Sequence, residues 1–479
     1  KEMVNDFIEK RVPERNGSNT DREQIKKIAD GFPGMAELLV EEYLKEQHID
    51  VHTVDHVVKK LLKFEEGHES EQEIVMRSLS LFQPFPYRNE YKEAYRFIRN
   101  DEGITPLYGK SPEEKRHLFS HTINLYDNSL IEITQSWLNV RPFPLAVWLV
   151  GKWFEDDPDE ERMVGIVERI QALDKPLYTV VRDGLYKRLD YMQDSESAQD
   201  LIQRLAGEAH APFCNEKVVC SDLGSRLFLA MSSVNPGAIA SCLYRVLLPK
   251  GVAWAKDNII KEIRRNLIWS LEKLCFSKES YQDGSKVLAL LAAAENETWG
   301  NNATGQFKQL FHIMLPGTEA TLQERLETLH YLKISGKEYE ELALECFDRA
   351  FDNGSFVRDG SGAQFGLQRK TDYMPKSNIE IVEYWEQCRD MLMSWLEEDK
   401  DILERTAKLS TSHAFRWAYD GMLGRMLPLL NMIADMKGGR WEEMYTALNK
   451  VNESRLSVYQ QDVQEQINVF KQRIRPTSF

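Results

Sequence analysis

Asn258-Ile259-Ile260-Lys261-Glu262-Ile263-Arg264-Arg265-Asn266-Leu267-Ile268-Trp269-Ser270-Leu271-Glu272-Lys273-Leu274-Cys275 decides how the rest of the chain is read. Ile259, Ile263, Leu267, Leu271 and Leu274 fall three or four residues apart and so form one stripe. Lys261, Glu262, Arg264 and Arg265 lie elsewhere on the wheel, which predicts an amphipathic helix with one buried side. The stretches 159–173, 279–295, 320–350, 379–397, 413–435 and 441–472 have the same rhythm. Short connections bearing Gly, Pro, Asp or Asn separate them. A mainly all-α chain follows, with antiparallel helix pairs stacked into an α-solenoid. No fixed-period consensus recurs, so the helical repeats are degenerate.

One stretch departs from this rhythm. In Ser129–Arg141, Ile131 and Ile133 alternate with polar residues, and so do Leu138 and Val140 after Thr134-Gln135-Ser136. That pattern predicts a small β-hairpin. It follows predicted helices at about 70–82, 89–100 and 112–126, and three helices closed by a hairpin suggest a winged-helix-like unit. Phe351–Asn378 holds Gly354, Gly360, Gly362 and Gly366 with little periodicity and reads as a long Gly-rich loop. The expected organisation is a helical domain at 1–68, the winged-helix-like domain at 69–155, and a first helical-repeat block at 156–350. The loop at 351–378 and a C-terminal helical block at 379–479 complete it. Trp148, Trp153, Trp269, Trp385 and Trp395 sit beside leucines at helical spacing and are expected in the core.

With 42% hydrophobic and 29% charged residues over 479 positions, the composition is that of a globular chain able to bury several cores. No apolar run approaches the roughly 18–20 residues that span a bilayer. The N-terminus lacks a signal-peptide pattern, so a cytoplasmic location without membrane contact is expected. The six cysteines (Cys214, Cys220, Cys242, Cys275, Cys346, Cys388) are scattered, as free thiols in helices would be. A formal charge of −15 disfavours nucleic acid. The short basic runs 261–265 and 471–475 read as solvated helix faces. The first residues already look helical, which suggests that the chain begins partway through a larger protein.

No complete catalytic site emerges. The chain has no Gly-x-x-x-x-Gly-Lys-Ser/Thr loop to cradle phosphates. Gly360–Gly366 superficially resembles a dinucleotide fingerprint but misplaces its third glycine and lacks a βαβ setting. His48, His52 and His56 are spaced by four, yet Thr53 reads as an N-cap that leaves the first two histidines in the preceding turn. His210, Cys214 and Cys220 lack a fourth ligand. The acidic run 155–161 reads as the capped first turn of a helix, with Asp157 or Asp159 at the cap and Pro158 just inside. No Gly-x-Ser-x-Gly elbow occurs.

The most informative short motif is Ile28-Ala29-Asp30-Gly31-Phe32-Pro33-Gly34-Met35-Ala36-Glu37-Leu38-Leu39. One helix ends at Gly31, the chain turns through Pro33, and an apolar helix begins at once. Taken alone this is a helix–turn–helix joint. It also resembles the Gly-x-Pro corner of the helical domain that follows the P-loop domain in STAND ATPases, a class that includes NACHT and NB-ARC switch proteins. In that class a winged helix comes next, as it is expected to here.

Further stretches are similar to bacterial antiphage members of the class. They include Trp137-Leu138-Asn139-Val140-Arg141-Pro142-Phe143-Pro144-Leu145-Ala146, Gly224-Ser225-Arg226-Leu227-Phe228 and Val234-Asn235-Pro236. Ala294–Glu297 with Asn301–Gly305, Leu315-Pro316-Gly317-Thr318, and Asp372-Tyr373-Met374-Pro375 with Tyr384-Trp385 also belong among them.

The resemblance implies that the P-loop and its Mg²⁺ partner lie outside this chain, so that ATP or ADP with Mg²⁺ is contacted only in part. Gly31 and Pro33 would meet the base, and His117 or His121 would reach the β-phosphate. The remaining helices would act as a sensor for a phage or other foreign protein. Ligand binding would then drive nucleotide exchange, self-association into oligomers and release of an effector. The alternative is a free-standing helical-repeat scaffold for protein–protein interaction. An enzyme with an unrecognised site, using Asp359, Arg369 and Asp372 in the 351–378 loop, is the second rival.

Overall fold

The computed structural model describes every residue except 13–19, 47–50, 63–68, 157–159, 353–361, 366–367, 452–458 and 477–479. It is mainly α, as the periodicity requires. The chain divides into two compact units, one built mainly from Lys1–Ile239 and the other mainly from Ala240 onward. Among the described residues no helix is long and apolar enough to cross a membrane.

The first unit opens with α1 (Glu2–Arg11), α2 (Thr20–Ala29), α3 (Pro33–Glu46) and α4 (Val51–Leu62). Ile25, Ala29, Met35, Leu39 and Tyr43 are fully buried, as are Val57, Val58 and Leu62. Glu42 joins α3 to α4 by taking Lys60 Nζ at 2.7 Å and Lys45 Nζ at 3.0 Å, with His56 Nε2 3.9 Å away. Since α4 already starts at Val51, His52 lies in the helix, against the expectation that Thr53 caps it. His48 and the His52 side chain are outside the described residues.

Next come α5 (Glu69–Ser80), α6 (Lys92–Asn100) and α7 (Pro112–Tyr126). Ser111 caps α7 through a reciprocal capping box with Glu114, and Pro112 fixes its first turn. The expected hairpin forms as β2 (Ile131–Thr134) and β3 (Trp137–Val140). A strand that the sequence does not announce, β1 (Phe85–Pro86), adds to the far side of β3, giving the antiparallel order β1-β3-β2. Ile131 faces Val140, while Leu138 faces both Ile133 and Phe85. Phe85, Ile131, Leu138 and Val140 are buried, so the sheet turns one apolar face inward.

From Arg141-Pro142 the chain enters α8 (Phe143–Glu155), then α9 (Glu161–Gln171) and α10 (Lys175–Leu189). Glu160, rather than either aspartate, occupies the cap position of α9, and 157–159 lie outside the described residues. Trp153 on α8 is buried and donates Nε1–H to the Ile104 carbonyl at 2.9 Å.

In the second unit the apolar stripe over Ile259–Leu274 is broken. One helix ends at Asn258, Ile259 is extended at its C-terminus, and the next helix runs Lys261–Phe276. Ile259 is nonetheless buried, because both helices turn toward the same core. The expected helix over 320–350 likewise divides at Gly336, whose φ of +98° suits a residue without Cβ. Helices at 378–398, 403–419, 423–436, 442–449 and 461–473 follow. Trp153, Trp385 and Trp395 are buried as expected. Trp148 is only half-buried and Trp269 is 40% exposed, so these two are not core.

Candidate functional site

The corner between α2 and α3 is built as its residues dictate. Asp30 and Gly31 both take the left-handed conformation, with φ of +48° and +77°. The Phe32 amide donates back to Ala29 at 2.7 Å, and Pro33 supplies the first position of α3. A Cβ at Gly31 would stand 2.3 Å from Lys1 Cγ and 3.0 Å from Lys1 Cα, so the corner needs glycine on two grounds. Lys1 Nζ pairs with Asp30 at 2.5 Å.

Opposite the corner lies the edge of the small sheet. Together they enclose an open cleft of about 410 Å³, lined by Lys1, Asp30, Gly31 and Phe32 on one side. Asn128, Ser129, Ile131, Glu132, Arg141 and Pro142 line the other. Asn128 has a φ of +60° and hydrogen-bonds the Ile131 carbonyl through its amide, which turns the chain from α7 into β2. Arg141 bonds Glu132 Oε2 through Nε at 3.0 Å. The walls therefore offer an aromatic ring, two cations and two carboxylates, a mixture able to hold a small planar polar molecule.

Of the four residues singled out by resemblance, only Gly31 lines this cleft. Pro33 is exposed at the outer side of the corner. His117 and His121 are both exposed and sit one turn apart on α7, away from the buried Phe119, Ile123 and Tyr126. His117 Nε2 lies 3.1 Å from Glu113, whose carboxyl is held below its usual range by Arg116 first and by His117 less. Phe32, Asn128 and Arg141 were the residues to add. Phe32 belongs to the corner motif, and Arg141 closes the predicted hairpin.

Other motifs assemble without forming a catalytic site. Glu295 Oε1 takes Nη2 of the fully buried Arg264 at 2.8 Å, and Oε2 takes the Thr304 amide at 3.0 Å. Gly317 donates to Asp372 at 2.6 Å and Tyr373 donates to the Thr318 carbonyl at 2.8 Å, so 315–318 and 372–375 meet. Arg325, fully buried beneath Tyr373, donates to the carbonyls of Ala320 and His312. Asp359 and the Arg369 side chain lie outside the described residues, as do Gly360 and Gly366 of the glycine-rich stretch. Among the described residues no group of three His, Cys, Asp or Glu side chains is placed to hold a metal ion, His210, Cys214 and Cys220 included. All six cysteines are reduced thiols, four of them buried. Of the two basic runs expected as solvated faces, Arg264 is fully buried instead, while Arg265 bonds Glu262 and Arg473 bonds Asp435.

Comparison of the chain with protein-family models, with characterised proteins and with solved structures finds no match.

Proposed function

We propose that this chain is the regulatory and sensor portion of a STAND-type NTPase acting in antiviral, antiphage defence. The observation that carries the reading is the cleft in which Gly31 and Phe32 of the corner meet Arg141 and Pro142 at the exit of the small sheet. A nucleotide-gated switch needs such a place, where a helical corner and the following domain can grip one ligand together. The helix–strand–helix–helix–strand–strand order over 69–140, with sheet order β1-β3-β2, is the order a winged helix would have and supports the same reading. Residues 1–155 then complete the switch, and the helices beyond them form a degenerate helical-repeat sensor for a foreign protein. ATP or ADP with Mg²⁺ is held chiefly by a P-loop domain outside this chain. Ligand binding moves the equilibrium only through its different affinity for closed and open states. The open state self-associates in the cytoplasm and releases an effector.

The residues now assigned to the base are Gly31 and Phe32, with Pro33 at the corner's rim. Photolabelling of the full-length gene product with an azido-adenine form of ADP tests this. Label confined to peptides spanning 30–34 or 128–142, and lost to excess ADP, is the expected result. Specific label elsewhere contradicts it.

A second reading has one observation in its favour. Pro33, His117 and His121 all lie outside the cleft lining, as they would in a helical scaffold with no nucleotide. Unlabelled full-length protein supports that alternative.

A further inference from the structure

Arg188, near the end of α10, is only 3% exposed. Its guanidinium carbon stands 5.2 Å from the centre of the Phe143 ring, at the first residue of α8. Among the described residues neither Nε nor Nη1 has a hydrogen-bond partner, and no carboxylate pairs with the group. A buried guanidinium without an acid is costly, because neither water nor a counter-charge replaces its hydration. Burial, with Arg141 repelling it from nearby, pushes its pKa down to about 9. The other buried arginines among the described residues each keep a hydrogen-bond acceptor, Arg99 through Nε to Asn100 Oδ1 at 3.2 Å. Arg182 bonds Asp183 and Asp222, Arg264 bonds Glu295, and Arg325 bonds backbone carbonyls.

Two further positive features converge on the same place. Arg141 spends Nε on Glu132 and keeps its two Nη groups uncommitted, at a half-exposed side chain. The thirteen-residue α8 begins beside it with Pro142 at the cap position, which has no side-chain acceptor to offer. Pro144 has no N–H and the Leu145 and Ala146 amides donate to the Pro142 carbonyl at 3.1 and 3.3 Å, so the Phe143 amide is the donor left at that helix end.

We propose that Arg188 and Arg141, at the N-terminus of α8, form a binding site for a phosphate group. A dianion suits the place because two guanidiniums and a helix terminus exceed what one carboxylate neutralises, and because the planar fork of arginine matches phosphate oxygens. Among the described residues Glu132 is the one carboxylate bonded to either arginine, and it takes Arg141 Nε. The site shares Arg141 and Pro142 with the cleft assigned to the nucleotide, and inorganic phosphate, which carries no base, tests it apart from that reading.

Thermal melting of the whole chain, in phosphate against chloride at matched ionic strength, tests the proposal. Inorganic phosphate is expected to raise the Tm by at least about 2 °C. A parallel arm with glycerol 3-phosphate tells a free ion from an esterified one. Arg188→Met should abolish the shift and, in chloride, melt no lower than wild type, because it removes an uncompensated charge. Arg141→Gln, at the surface, should reduce the shift without loss of folding. An equal response to phosphate and chloride in wild type overturns the proposal. So does a wild-type phosphate shift in Arg188→Met, or, should that variant not fold, in Arg141→Gln.

Discussion

Glu295 and Arg264 form an internal pair, Oε1 to Nη2 at 2.8 Å, in which the arginine is fully buried and the glutamate also holds the start of the next helix through the Thr304 amide. Arg264 comes from a run that reads as a surface patch, and Glu295 from a loop motif. Their meeting fixes the 295–304 loop to the helix Lys261–Phe276.

Removing one partner leaves a buried charge uncompensated. Glu295→Ala should lose about 3–5 kcal/mol of stability, read by urea denaturation. Adding Arg264→Met to that variant should recover part of the loss, because the pair is coupled.

Gly31→Ala should destabilise the first unit by about 1–2 kcal/mol, since alanine resists a φ of +77° and its Cβ would displace Lys1. Gly109→Ala shares a positive φ but has no atom near the added methyl, so it isolates the conformational part. If the two variants melt alike, the contact with Lys1 is without consequence.

Glu42 gives a pH signature. Hydrogen bonds from Lys60 and Lys45 lower its carboxyl pKa from 4.5 to about 2. A carboxylate with a depressed folded-state pKa contributes stability above its unfolded pKa and loses it as pH falls through the folded one. Wild type should therefore exceed Glu42→Gln in stability at pH 7. The difference should shrink from about pH 4.5 downward and vanish only below about pH 2, followed by chemical denaturation at each pH.

Helix caps supply a fourth test. Ser111→Ala and Thr321→Ala each remove one half of a capping box and should each cost about 1 kcal/mol. Urea midpoints will measure both.

Much of this architecture was legible where local chemistry and burial agree. Ser111-Pro112-Glu113-Glu114 announces α7, and the alternation at 131–140 announces the hairpin. Asp30-Gly31 marks the corner because few residues accept the left-handed region. β1 was invisible, since the two residues Phe85 and Pro86 carry no periodicity and pair only because Leu138 and Trp137 offer partners across the sheet. The break after Asn258 was hidden for the opposite reason: Ile259 is buried whether or not it is helical. Of the candidate site, the corner glycine was readable, while Arg141 and Asn128 come to it through the path of the chain around the sheet. Trp269 misleads because helical spacing tells which residues share a face, not whether another element covers that face.

A nucleotide-gated switch requires phosphate chemistry outside this chain, and the most direct measurement is the sequence of the reading frame upstream of Lys1. A Walker A motif, Gly-x-x-x-x-Gly-Lys-Ser/Thr, encoded in frame within the preceding few hundred codons is the predicted result. A start codon close to Lys1, with no such motif before it, would contradict the switch.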